Sequence, residues 1–406
     1  MKRIAILALA FFVAKGYAQT DLRSDYQFIS STEKGAIPHE LKINLEHTKG
    51  VVGGWLELER NCFIDCPVPL KQYNVRRARL YLDLIHRKFL EFMIMGQMRR
   101  NRCNYHYLYF DTLKPDYFRV RVGLFKKPFS LEALYSTRYF WMINRSLGAL
   151  NYQRLLDIGV EAHGNFWKER IEWGAGLFNG NRRNLKNNPH KNFCARVAYR
   201  PYAENKASRF HRLRFGISFE TCQKRFSLPT LRTGSETPFL KWNGPVKAKT
   251  SRLLFGGDAE WLVGPFAIRG EFLLVNWNRV SNQSKSVPFT GYSWYIGGGY
   301  MLTGEEQKHN LPLFPRKNFN ICEGGGAIEV TARYEAFQAD HKVVKAQLAT
   351  GTTYVSGFTL GTNYFFNPFV LMRMNWQKNY FHKRIVVKNR HVRGESVVTF
   401  ILQGEF

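Results

Sequence analysis

Arginines spaced two apart recur along the chain: Arg77 and Arg79 in VRRARLYLDL, Arg119 and Arg121 in RVRVGLFKKPFSLE, Arg212 and Arg214 in HRLRFGISF. Residues two apart on an extended strand project from the same face. Each pair therefore sets two guanidiniums side by side. A guanidinium grips phosphate or carboxylate as a fork, whereas an ammonium acts as a mobile point charge. The second stretch goes on to deliver Lys126 and Lys127 to a Pro-Phe turn, with Arg138 further along. The chemistry on offer is noncovalent handling of anions. No G-x-S-x-G, H-E-x-x-H or P-loop spacing occurs in residues 19–406, so neither an enzyme nor a cofactor is expected. His163 falls on the polar parity of its strand and reads as a wall residue, not a general base. Lumen arginines can also pair with acids such as Asp83, Glu161 or Glu172 and merely brace a wall. For any one arginine both readings stay open.

The elements that must position these cations are strands. In RVRV, Val120 and Val122 face away from the arginines. AIEVTARYE sets Glu329, Thr331, Arg333 and Glu335 against Ile328, Val330, Ala332 and Tyr334, and LMRMNWQK sets Arg373, Asn375 and Gln377 against Met372, Met374 and Trp376. Period two dominates, and helical periodicity is nowhere sustained. Two all-β architectures fit such strands, a sandwich and a membrane barrel. Charge on the second face of nearly every strand favours the barrel. Aromatics in YRPYAE, NYFFNP and GYSWY are expected at strand ends, where membrane girdles need them. The final SVVTFILQGEF puts Val398, Phe400, Leu402 and Phe406 on one parity. Residues 41–406 carry no linker or repeat, so the expectation is one transmembrane antiparallel β-barrel of about 16 strands enclosing an aqueous channel.

The ends agree with an envelope location. MKRIAILALAFFVAKGYAQT has a basic start, an apolar run from Ile4 to Ala14 and small residues at Gly16 and Ala18, which reads as a signal peptide over 1–18. Residues 19–40 read as a short periplasmic lead-in. Nothing else offers about 18 consecutive apolar residues. Sixty Lys and Arg against 31 Asp and Glu give a formal charge of +29, or +26 without Lys2, Arg3 and Lys15. That excess favours phosphate, acidic sugars and lipid or lipopolysaccharide headgroups. Nucleic acid is not expected, because the cations are spread out and no zinc or RNA-binding signature accompanies them. Cys62 and Cys66 could close a small loop disulfide. A zinc site there lacks a second ligand pair.

RVRVGLFKKPFSLE, continuing through STRYFWMINRSL, resembles the phosphate-selective porin O and P family at its G-x-F-K-x-P-F-x-L-E run and the R-S-L turn that follows. Further segments fall in the family's order: IGVEAHG, WGAGLFNGN, GPFAIRGEFL, FTGYSWYIGGGYMLTGE, GAIEVTARY and TLGTNYFFNPFVLMRMNW. The resemblance implies a 16-stranded bacterial outer-membrane barrel, usually trimeric, passing anions such as phosphate by passive diffusion. It also implies a constriction formed by an inward-folded loop. Lys126, Lys127 and Arg138 would flank it, with Arg77, Arg79, Arg119, Arg121, Arg212 and Arg214 on the wall. Lys127 stands where the family commonly has an acid, and EEQKHN replaces the usual residues after L-T-G-E. The alternative is a surface-binding barrel using its outer segments around 182–192 and 230–250.

Overall fold

A computed structural model describes residues 41–64, 73–99, 102–153, 155–180, 190–223, 226–244, 246–248, 251–282, 284–387 and 389–406. The signal peptide, the lead-in and Cys66, with its pairing to Cys62, lie outside the described residues. Alternating apolar and polar residues give sixteen long strands. The first eight are β1 (Thr48–Phe63), β2 (Asn74–His86), β3 (Leu90–Arg99), β4 (Arg102–Thr112), β5 (Arg119–Lys126), β6 (Leu156–Phe166), β7 (Ile171–Phe178) and β8 (Asn192–Tyr199). The second eight are β9 (Arg214–Gln223), β10 (Ser251–Val263), β11 (Phe266–Ser281), β12 (Ser286–Met301), β13 (Ala327–Ala339), β14 (Tyr354–Phe365), β15 (Val370–Val387) and β16 (Arg390–Glu405).

Each strand pairs antiparallel with the next, and β16 returns to β1 from Trp55↔Glu405 to Phe63↔Val397. The amide of Phe406 donates to the Gly54 carbonyl at 3.0 Å, and the Gly54 amide donates to the Phe406 carbonyl at 2.9 Å. An N-terminal strand, Leu41–Asn44, takes over on β1 where β16 ends. Closure leaves the main sheet without an exposed edge.

Parity behaves as the sequence predicts. Glu329, Thr331, Arg333, Glu335, Arg373, Asn375 and Gln377 are buried inside, while Val330, Tyr334, Met372, Met374, Phe400, Leu402 and Phe406 are exposed outside. At the end holding Phe406, aromatics flank the strand ends: Phe210 stacks on Trp261 at 5.3 Å, and Tyr364 packs edge-on against Phe366 at 4.6 Å. GYSWY is the exception, because it runs through the middle of β12, where Trp294 meets Tyr334 at 5.6 Å across the outer face.

The lumen is not empty. The 127–155 connection enters it as two short helices, α1 (Leu131–Leu134) and α2 (Leu147–Tyr152), whose first turns are capped by the Ser130 and Ser146 hydroxyls. At the outer end, a three-stranded sheet of Leu231–Arg232, Pro238–Trp242 and Ala349–Gly351 packs against β15 beside α3 (Lys342–Lys345). Beneath it Phe239, Leu240, Phe337, Val343 and Leu348 are fully buried. From the opposite, periplasmic end the 302–326 connection reaches inward. It returns to β13 through Gly324, Gly325 and Gly326 at φ +68°, +116° and +84°, conformations that favour glycine.

Candidate functional site

What the barrel can do depends on which charges face the residual lumen, so the inward loop is the natural place to build the site. Its backbone is held by side chains from nearly all sides. The Ser130 amide donates to Ser218 Oγ on β9 (3.1 Å), the Ile143 amide to Asn375 Oδ1 on β15 (2.7 Å) and the Leu147 amide to Glu335 Oε2 on β13 (2.7 Å). Asn363 on β14 donates to the Trp141 carbonyl at 3.0 Å, and Arg333 on β13 donates to the Asn144 carbonyl at 2.9 Å. Wall groups from opposite sides of the barrel satisfy the loop's polar backbone. A loop so bound spans the bore.

The nine cations read from sequence fall into three settings. Among the wall residues, Arg77 pairs with Glu57, Arg79 donates to Gln97 Oε1 at 2.7 Å, and Arg119 reaches the Asp116 carbonyl at 3.4 Å. Arg121 forks onto Asp111 Oδ2 at 2.7 and 3.0 Å. Arg214 lies 3.1 Å from Glu172, as the bracing reading allowed. His163, buried on the same wall, meets Asp111 at 2.9 Å. At the loop, Lys126 donates to the carbonyls of Leu134 (3.0 Å) and Tyr135 (2.9 Å), and Lys127 meets Glu220 at 2.6 Å. Arg138 reaches Glu405 at 2.7 Å and the Tyr81 hydroxyl at 3.3 Å. Burial opposes its charge, and the adjacent Glu405 carboxylate compensates for it. Arg212 is set apart: the strand begins only at Arg214, so Arg212 lies in the preceding turn and donates to the Gln307 carbonyl at 2.9 Å.

Several residues of this site were not singled out by sequence. Arg76 has the parity of the lipid face, but a bulge opposite Glu57 and Leu58 inserts it as an extra residue and turns it inward. There it donates to the Ile143 carbonyl (3.0 Å) and Asn144 Oδ1 (2.8 Å). Arg196, Arg252 and Arg269 obey the period-two rule and were readable in NFCARVAY, SRLLF and AIRGEF. They pair with Asp258, Glu220 and Glu260. His309 and Asn310, on the periplasmic insert, carried no signal. His309 Nδ1 lies 2.9 Å from the Tyr135 hydroxyl and 3.0 Å from Glu260 Oε1, and Asn310 Oδ1 accepts from the Ser136 amide at 2.5 Å. Inward loop and periplasmic insert thus meet inside the barrel, toward its periplasmic end.

Charge is distributed unevenly. Among the described residues the buried interior holds 13 Lys and Arg against 16 Asp and Glu. The chain's cationic excess therefore lies elsewhere, on half-buried and exposed residues. One local exception is a cavity of about 50 Å³ between loop, insert and wall. Its charged lining is Arg138, Arg269, Lys308 and Arg373 against Glu329 and Glu405. It has room for a few waters or one small anion.

A closed 16-stranded barrel with an apolar outside, a charged inside and a loop across the bore is the architecture of an outer-membrane porin, a protein of the bacterial outer membrane. The family model for phosphate-selective porin O and P matches residues 70–399, and the chain belongs to that family. Porin O of Pseudomonas aeruginosa strain PAO1 is 29% identical over 136 residues, which are 32% of this chain and 30% of Porin O. The outer-membrane channel DcaP of Acinetobacter baumannii superposes with TM-score 0.57 at 11% identity, over 89% of this chain and 98% of DcaP. The anion-selective porin from Comamonas acidovorans gives 0.57 at 11%, over 89% and 100%. OmpT of Vibrio cholerae in its trimer form gives 0.55 at 10%, over 89% and 100%. At these identities the three structures share a fold with this chain.

Proposed function

We propose that the protein is a passive diffusion channel for small anions of the phosphate class, with its constriction at the inward loop. The observation that carries this reading is the cavity beside Arg138, where four cations face two carboxylates although acids outnumber cations in the rest of the buried interior. An anion entering a narrow bore sheds water, and fixed guanidinium and ammonium donors replace part of that shell. The paired acids keep each cation from holding the anion too tightly, and weak binding is what lets an ion leave. Membership of the porin O and P family supports the same reading over enzyme activity. Arg77, Arg79, Arg119, Arg121 and Arg214 set the wall potential, Lys126, Lys127 and Arg138 anchor the loop, and Arg212 guards the periplasmic exit. The partners are small anions, the lipopolysaccharide of the surrounding leaflet and two further copies of the chain; the trimeric fold relative supports the last.

The test is planar-bilayer conductance of the refolded protein under a salt gradient, with phosphate added as a blocker. Anion-directed reversal with phosphate block is the expected result. Anion selectivity without block would leave a general anion pore. Absence of conductance would favour the surface-binding barrel.

A further inference from the structure

The buried interior holds more acids than cations, so the excess of positive charge lies on half-buried and exposed residues, and the outer cap displays a share of it. Arg232, Lys241, Lys247, Lys285, Lys342 and Lys345 are all exposed on the cap and its neighbouring turns. The only acids among the described residues of 226–248, 282–285 and 340–353 are Glu236 and Asp340, and Asp340 already faces Lys342 at 3.6 Å.

These cations share one continuous surface. The strand of Lys241 lies between those of Arg232 and Thr350. Lys285 donates to Gln347 Oε1 at 3.1 Å, and Asn243 donates to the Gln347 carbonyl at 2.9 Å. The Lys383 amide donates to Thr352 Oγ1 at 3.2 Å, which ties the tip of the β15–β16 hairpin to the same surface. That tip, residues 382–393, carries four Lys and Arg and no acid among its described residues.

Composition separates this surface from the lumen. Of the 13 buried cations only Lys126 and Lys127 are lysines, whereas six of the ten described cations on the cap and hairpin tip are. Arginine suits fixed, forked contacts with a single oxyanion; lysine is a flexible point charge that tolerates many registers. A lysine-rich surface spread over several elements matches a ligand whose charges repeat along a flexible chain. The cap has an apolar core of its own, with Phe239, Leu240 and Leu348 fully buried, so its cations stand on a fixed surface on which such a chain can rest.

We propose that the outer cap is a docking face for an acidic polysaccharide outside the cell. The proposal does not depend on whether the barrel conducts. It is tested with the full chain refolded in detergent, by titrating it with heparin fragments and with oligogalacturonates of increasing length at several salt concentrations. Affinity is expected to rise with chain length and to fall steeply with salt, because exposed charges are screened beyond about 10 Å at 0.1 M. The combined variant Lys241→Glu, Lys285→Glu, Lys342→Glu and Lys345→Glu should weaken binding at least tenfold. The periplasmic-end variant Lys88→Glu with Lys317→Glu should leave it within twofold. Retained heat-modifiable migration on gels certifies that each variant is folded. Equal affinity for both glycans and their monomers, equal loss in both variant sets, or clear preference for polyphosphate over glycans of equal charge would each overturn the assignment.

Discussion

Lys127 and Arg252 converge on one carboxylate oxygen of Glu220, each at 2.6 Å, so the first residue of the inward loop and a wall residue of β10 share a counter-charge on β9. All three are buried, and the carboxylate also accepts from Asn192 Nδ2 at 3.2 Å. The loop is thereby anchored through charge at the point where it leaves the barrel wall.

Removing that counter-charge strands two buried cations. Glu220→Gln should destabilise the barrel by about 3 kcal/mol, the usual cost of leaving a buried charge unpaired. The measurement is the temperature at which folded, fast-migrating protein converts to the unfolded form. A shift no larger than that of an exposed control such as Glu46→Gln would remove the anchoring role.

Arg138 and Glu405 make a second anchor at 2.7 Å, at the edge of the cationic cavity. Arg138→Glu leaves three cations facing three carboxylates there. The anion-to-cation permeability ratio should fall roughly tenfold, which corresponds to about 1.4 kcal/mol. An unchanged reversal potential would show that the permeating ion does not pass this cavity.

Parity makes a prediction about the outer face. Phe400 and Leu402 point to lipid, whereas Thr399 and Ile401 point inward. Phe400→Arg should cost about 2–4 kcal/mol if this face crosses mid-bilayer, with a much smaller penalty for Thr399→Ser. Folding yields into vesicles across a urea series would measure both.

The contact between loop and insert should depend on pH. His309 faces Glu260, Tyr135 and, at 3.4 Å, Arg214. Burial holds its pKa below the ordinary value near 6.5, despite the Glu260 carboxylate beside it. A detached insert would take up the proton more readily than a docked one. The docked state is therefore favoured above about pH 6.5 and loses stability as the pH falls below it. The protection factors of amides in residues 302–326, taken relative to the intrinsic exchange rate at each pH, should fall on acidification, and His309→Gln should flatten that response. Protection that rises on acidification would reverse the sign and contradict this assignment.

Much of the barrel was legible because one physical rule repeats along it: a strand between lipid and an aqueous interior must alternate. The rule placed Arg333, Arg373, Phe400 and Leu402 correctly from sequence. It failed where a local irregularity broke the count, as at Arg76, whose bulge changes its face. It failed again at Arg212, because the turn before β9 extends two residues further than the alternation in HRLRF suggests. Contacts such as Tyr135 with His309 lie 174 residues apart and join two connections that have no periodicity to read. The charge balance of the lumen was also hidden, since composition reports the total excess without its location.

The central claim is anion passage past the inward loop. Its most direct test is the reversal potential of single channels in a tenfold potassium chloride gradient, compared between the native chain and Arg138→Glu. The account predicts a potential of the sign set by chloride in the native protein, moved toward zero by the substitution. A potential of the sign set by potassium, or one that Arg138→Glu leaves in place, would contradict it.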